Sequence, residues 1–270
     1  VMVKIAGHRA PDPDASLAGA TLVARGITSD HTLELNGTTL SQQPLRVVAT
    51  GGWRAGVAQD YAWRGSLITA ESGKPLELRL SEPASLTIAP GSVSFGPARF
   101  VARGTQFSTV EVQQHDGRWR TSGTFDGLRP QALDASASAS AARRLVRTGG
   151  GAREPLTLRG RWELELATTL TGVIIVERTG GDIYGGIDAL HPIGIRDLGL
   201  ALSVLNDRVT GTAYVRGSAL GRLDAVIDAY VDTSGAVQIA RNRPFRIEVD
   251  AVLPDLSWMG PLIGDSVQVE

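Results

Sequence analysis

Apolar and polar residues alternate with a period of two along most of the chain. Val209, Gly211, Ala213 and Val215 face one way between Arg208 and Arg216. In Arg222–Asp232 the apolar positions are Leu223, Ala225, Ile227, Ala229 and Val231, set against Arg222, Asp224, Asp228 and Asp232. Phe245, Ile247, Val249, Ala251 and Leu253 alternate with Arg246, Glu248 and Asp250, and Trp162, Leu164 and Leu166 with Arg161, Glu163 and Glu165. Leu76, Leu78 and Leu80 do the same against Glu77 and Arg79. This period predicts β-strands with one dry and one wet face. Asn36-Gly37, Pro90-Gly91, Asp116-Gly117, Thr179–Asp182 and Ser234-Gly235 supply the chemistry of tight antiparallel turns between them.

The spacing predicts an all-β chain of roughly eighteen strands. At about 4.8 Å per strand, one sheet of that many strands would run roughly 85 Å. Such a sheet must curl, close or split, so an open meander stands beside the sandwich and the barrel. Two stretches interrupt the pattern. Residues 131–153 are rich in Ala and Ser, then basic, then rich in Gly, and read as a flexible insertion. Residues 254–264 (PDLSWMGPLIG) place Leu256, Met259 and Leu262 at three-residue spacing and predict a short helical segment. Otherwise residues 1–270 read as one continuous β-rich segment. Strand-like sequence at Val1 and at Ser266–Glu270 makes it read as an internal piece of a longer protein.

Composition narrows the partners. Lys plus Arg is 27 and Asp plus Glu is 28, a net charge of −1, which argues against a nucleic-acid binder. All the cations except Lys4 and Lys74 are arginines. Without cysteine, thiol catalysis, disulfides and thiolate metal sites are excluded. The longest apolar run lies around Val173–Val176, too short to span a bilayer, and no signal-peptide pattern opens the chain. The 32 glycines, about 12% against a usual ~7%, fit many short strands and tight turns.

Catalytic chemistry is sparse. His8, His31, His115 and His191 lie far apart, and His115-Asp116-Gly117 reads as a hairpin tip, so no metal or cofactor is assigned. There is no Gly-x-Ser-x-Gly elbow, and Gly149–Gly151 and Gly180-Gly181 lack the lysine of a phosphate loop. Asp224 and Asp228 read as a solvated face rather than a glycosidase pair. Trp53, Trp63, Trp119, Trp162 and Trp258 stand near strand starts or turns and read as plugs at the ends of a core, with a sugar platform as the alternative. No catalytic residue is assigned, and the chain is not read as an enzyme.

The most informative feature is a face. In a long open sheet the dry face needs a cover, and acyl chains are one cover that demands no polar lining. At about 0.8 kcal/mol per methylene, two chains of fifteen or so methylenes need on the order of 24 kcal/mol of shelter. The candidate lining is Leu164, Leu166, Val209, Val215, Leu223, Ile227, Val231, Phe245, Ile247 and Val249.

Certain blocks resemble a known family. Leu156–Gly186 (LTLRGRWELELATTLTGVIIVERTGGDIYGG) is similar to the part of the translocation and assembly module subunit TamB family in which a Trp-containing strand leads through a Gly to an Arg-x-x-Gly-Asp turn. The matching positions are Trp162, Gly172, Arg178, Gly181 and Asp182. Gly194–Leu205 and Pro254–Met259 downstream, and Trp63–Leu67, Pro75–Leu78 and Pro83-Ala84 upstream, resemble it too. The resemblance, to a family within the AsmA-like, bridge-like lipid-transfer superfamily, implies an elongated, curved, open antiparallel sheet, U-shaped like a folded taco, with a hydrophobic concave interior. It implies a periplasmic segment of a protein anchored in the inner membrane by an amino-terminal helix outside these residues. The implied role is phospholipid transport between inner and outer membranes and support of outer-membrane protein assembly. The implied partners are phospholipid acyl chains and a TamA-like outer-membrane barrel, met through regions outside these residues. Gly180-Gly181 is expected to supply the positive φ of a hairpin that Asp182 caps, with Arg178 on the wet face. Two alternatives are a chaperone-like β-scaffold that takes outer-membrane clients by strand addition, and a glycan-active β-sandwich using an Asp or Glu pair near a Trp. An excised sheet with a greasy face is also expected to dimerise through it.

Overall fold

The computed structural model describes residues 2–8, 17–39, 43–55, 61–73, 77–130, 154–185, 191–218, 220–233, 237–240 and 242–254. Among them there is no α-helix, and strands pair antiparallel with the next strand in sequence or the one or two after it. The chain is all-β, as the alternation predicts. It divides into two compact units, Val1–Phe125 with Glu165–Ala167, and Asp126–Leu164 with Thr168–Glu270.

The first unit is a meander of β1 (Met2–His8), β2 (Leu17–Ile27), β3 (Asp30–Thr39), β4 (Pro44–Ala55), β5 (Tyr61–Ser72), β6 (Arg79–Leu80), β7 (Ala84–Ala89), β8 (Ser92–Ala102) and β9 (Thr105–His115). The start of β10 (Arg118–Leu128) closes it and pairs with β9. β6 and β7 lie end to end between β5 and β8: β6 bridges Glu71 to Val101, and β7 pairs Leu67–Trp63 with Val93–Phe95. The tight turns use residues that tolerate positive φ: Gly91 (69°) after β7, Arg103-Gly104 (50° and 77°) after β8, and Asp116-Gly117 (48° and 80°) after β9.

Register sorts this unit into two faces. Leu22, Leu35, Val47 and Ala70 form one apolar row across β2–β5, and Leu33, Ala49, Leu67 and Ala84 another across β3–β7. The opposite face carries the row Thr21, Asn36, Arg46, Glu71. There Glu34 lies 3.5 Å from Arg25 and 3.4 Å from Arg46. A hydrogen bond from Asn36, then these two cations, hold its carboxyl below the usual carboxylate value.

The best-buried large side chain is Trp63, 2% exposed. Its Nε1–H donates to His31 Nε2 at 2.9 Å, while His31 Nδ1 lies 3.0 Å from the Ile27 carbonyl oxygen. That pair of contacts is satisfied by a neutral ring protonated on Nδ1. Gly65 makes room for the indole: a Cβ there would fall 2.6 Å from Trp63 Cη2 and 2.1 Å from the Thr50 carbonyl oxygen.

The second unit contains β11 (Thr157–Leu166, of which Glu165 and Leu166 belong to the first unit), β12 (Leu170–Gly180), β13 (Tyr184–Gly185), β14 (His191–Pro192), β15 (Ile195–Leu205), β16 (Arg208–Gly217), β17 (Gly221–Asp232), β18 (Gln238–Ile239) and β19 (Arg246–Val252). Its sheet runs β11-β12-β15-β16-β17, with β18 and β19 sharing the outer side of β17. β13 and β14 form a small separate ribbon.

Two sequence expectations are corrected. Asn36-Gly37 is not a turn but lies inside β3, where Gly37 pairs with Ala20 and Leu45. Leu76 lies outside the described residues, and Glu77–Leu80 are not a full strand: only Arg79–Leu80 is β, and Glu77 has a φ of 46° that breaks extension. Ile68 is a bulge in β5, so the register with β4 shifts there and both partners keep their apolar sides together. The insertion at 131–153, the helical segment over 254–264 beyond its first residue Pro254, Ser234-Gly235 and Trp258 lie outside the described residues.

Trp63→Ala is expected to cost about 3–5 kcal/mol in urea unfolding, because it removes a buried indole and orphans His31 Nε2. Trp119, 49% exposed, is expected to cost less than about 1 kcal/mol on the same change.

Candidate functional site

The second unit presents one uninterrupted apolar face. Four rows cross it. Val176, Leu200, Ala213, Ala225 and Val249 form one, and Ile174, Leu202, Gly211, Ile227 and Ile247 the next. Gly172, Val204, Val209 and Ala229 flank them on one side, and Leu198, Val215, Leu223 and Ala251 on the other. No side chain in these rows carries a polar atom. β11 extends the face: a Cβ on Gly172 would lie 2.8 Å from Leu164 Cα, which sets Leu164 opposite Gly172. The Arg159–Glu177 ion pair at 3.0 Å and the Thr179 Oγ1–H to Thr157 carbonyl bond at 3.2 Å hold the same register.

The sequence-assigned lining falls on this face. Val209, Val215, Leu223, Ile227, Val231, Ile247 and Val249 share it by register, Leu164 joins it from β11, and Phe245 precedes Ile247 by two. Leu166 follows Leu164 by two along β11 and is counted with the first unit. None of the ten is buried, and Phe245, Ile247 and Val249 are 62%, 50% and 57% exposed. Six lining positions were not legible from alternation: Ile174, Val176, Leu198, Leu200, Leu202 and Val204. In Val173–Val176 apolar residues run without a break, and in β15 the opposite positions are Gly199, Ala201 and Ser203, too small to mark a wet face.

The other face carries the ion pairs, with Val173, Ile175 and Val226 interspersed among its polar residues. Arg208 clasps Asp228 with Nε and Nη2 at 2.9 and 2.8 Å, and Asp224 is held by Arg216 at 2.7 Å and by Arg222. The Arg222 hydrogen bond first, then that of Arg216, lowers the Asp224 carboxyl below its ordinary value, and the Arg208 hydrogen bond does the same to Asp228. Each carboxylate is thus engaged by arginine on an exposed sheet surface. Tyr214 lies over Gly199, where a Cβ would meet its ring at 2.5 Å, and Arg216 stands 5.4 Å from the ring centroid.

Arg178 and Asp182 tie one end of the sheet. Asp182 accepts from three backbone N–H groups: Ile183 at 2.8 Å, Gly194 at 2.8 Å and Ile195 at 3.1 Å. Its own N–H donates to the Glu154 carbonyl at 2.9 Å. Gly181 takes the positive φ of 69°. The expectation for the pair is corrected in two respects: Gly180 is not at positive φ, and Arg178 is not on the wet face. It follows Val176 by two on the apolar side and turns its guanidinium back onto the carbonyls of Gly181 (3.1 and 2.7 Å) and Arg196 (2.9 Å).

Of the histidines, His31 binds Trp63 and His115 sits at its hairpin tip, 3.3 Å from Asp116. Trp53 faces Trp63 across β4 and β5 and is 43% exposed. Among the described residues no three His, Asp or Glu side chains gather as metal ligands, and no helix is long and apolar enough to cross a membrane. No protein-family model matches the chain, and no curated protein or solved structure is similar to it.

Because Asp224 and Asp228 titrate lower in the folded chain, their pairs stabilise it above about pH 4 and lose that contribution as pH falls through the folded values. The double change Asp224→Asn with Asp228→Asn is therefore expected to flatten the fall of the urea midpoint between about pH 5 and pH 2.

Proposed function

We propose that this chain is a periplasmic segment of a TamB-like lipid-transfer protein, and that the apolar face of β12, β15, β16, β17 and β19 shelters phospholipid acyl chains moving between inner and outer membranes. The observation that carries this reading is that four apolar rows on those strands lack any polar atom, and that no sequence-assigned lining residue on them is buried.

The physics favours such cargo. A sheet whose dry face is left in water loses about 25 cal/mol for every Å² of apolar surface that a cover would remove. Acyl chains regain it without asking for hydrogen bonds. From β12 to β19 the face is about 19 Å wide at about 4.8 Å per strand. Rows made only of aliphatic carbon hold a chain with similar strength at every position, so none traps it, and movement along the face needs no catalytic group. The Trp-to-Gly-Asp block from Trp162 to Asp182 supports the same reading through its resemblance to the TamB family. Support of outer-membrane protein assembly, with a TamA-like barrel as partner, belongs to the proposal on that ground.

Purified from a bacterial periplasm, the chain is expected to carry phospholipid in native mass spectrometry. Ile227 sits mid-face between Gly211 and Ile247, so Ile227→Asp is expected to cut co-purified lipid about tenfold or more. Val226→Asp, on the opposite face and already 52% exposed, is expected to leave it unchanged. A lipid-free wild type, or equal loss in both variants with the far-ultraviolet spectrum intact, contradicts the reading.

A further inference from the structure

We infer that His31 is a pH-operated cover on the apolar face of the first unit, latched onto Trp63 when neutral and released when protonated. Register sets what it covers. Gly26, His31, Gly51 and Gly65 stand opposite one another across β2, β3, β4 and β5, so three of the four positions have no side chain. They belong to the apolar side, since His31 lies two before Leu33, Gly51 two after Ala49 and Gly65 two before Leu67. The glycines are required there. A Cβ on Gly26 would fall 2.4 Å from the Asp30 carbonyl oxygen, one on Gly51 2.4 Å from that of Arg64, and one on Gly65 2.6 Å from the Trp63 indole. In this row of bare backbone the imidazole is the one side chain.

Two contacts hold the ring, and they ask opposite things of its nitrogens. Trp63 Nε1–H donates to Nε2 at 2.9 Å, so Nε2 must be bare. Nδ1 lies 3.0 Å from the Ile27 carbonyl oxygen, so Nδ1 must carry the proton. A second proton has one place to go, Nε2, and there it sets N–H against the indole N–H. Turning the ring over about Cβ–Cγ is no escape, because it brings carbon to both bonding places.

Nothing described on that face compensates the charge. Of the nearby titratable and charged side chains of β2–β5, Arg25, Asp30, Glu34, Arg54 and Arg64 alternate onto the opposite face. Only Tyr61 shares the side of His31, and a phenol is neutral between about pH 5 and pH 8. An imidazolium therefore has water as its best partner. His31 is half-buried and within reach of solvent, so the protonated ring swings out and uncovers Trp63, which is 2% exposed with the ring in place. The latch is present above the range in which imidazole titrates and is lost as pH falls through it. It does not depend on the cargo of the second unit.

The test is nuclear magnetic resonance on the nitrogen-labelled full chain at about pH 8 and about pH 5, on either side of imidazole titration. The Trp63 indole signal is assigned with Trp63→Phe. At the higher pH a scalar coupling is expected across the Trp63 Nε1–H to His31 Nε2 bond, with the indole shielded from a neutral gadolinium chelate. At the lower pH the coupling is expected to vanish and relaxation by the chelate to rise about threefold or more, with the far-ultraviolet spectrum unchanged. His31→Gln, whose amide oxygen accepts at either pH, is expected to keep Trp63 shielded at both, and His31→Ala to leave it open at both. Coupling and shielding that persist at the lower pH overturn the inference. So does a loss that His31→Gln repeats, which puts the titrating group elsewhere, or a lost coupling with Trp63 still shielded, which means that the ring stays in place.

Discussion

Everything in this molecule depends on one constraint: a strand has two faces, and a single layer of strands covers neither. Backbone hydrogen bonds are satisfied within the sheet, strand to neighbouring strand, so the ladder itself needs no second layer. The side chains do. In both units the register gathers aliphatic residues on one side and ion pairs on the other, yet the aliphatic side is left half exposed. Its deepest burial comes at small or mid-sheet positions such as Val204 and Ala229. A sheet built this way leaves an apolar side that its own described strands do not cover.

The other features serve that sheet. Tyr214 over Gly199 and Trp63 beside Gly65 fill places where a glycine leaves the layer thin. The arginine–carboxylate pairs are exposed, so each adds little to stability; what they secure is a wet face that stays wet and a register that does not slip. Asp182 gathers three amides at the mouth of the loop between β12 and β15, and Arg178 ties two carbonyls beside it, so the end of the apolar face is closed by internal hydrogen bonds.

Much of this was legible in the sequence where chemistry alternates strongly. β16, β17 and β19 set valine, leucine and isoleucine against arginine and aspartate, and their faces emerge as read. Legibility failed where contrast was weak. β15 opposes its leucines with glycine, alanine and serine, and β12 runs four apolar residues together, so these two strands' share of the face was hidden. Asn36-Gly37 carries hairpin chemistry, but pairing with β2 and β4 on both sides keeps it extended, tertiary context overriding a local preference. The Trp63–His31 bond joins residues 32 apart, and no local pattern announces it.

The central claim is that the odd-numbered side of β16, β17 and β19 is the acyl-chain surface. The most direct measurement is photolabelling with a phospholipid that carries a diazirine in its acyl chain, mapped residue by residue by mass spectrometry. The account predicts label on Leu223, Ile227, Ile247 and Val249 and none on Arg222, Val226 or Glu248. Label spread evenly over both parities, or confined to the polar face, would contradict it.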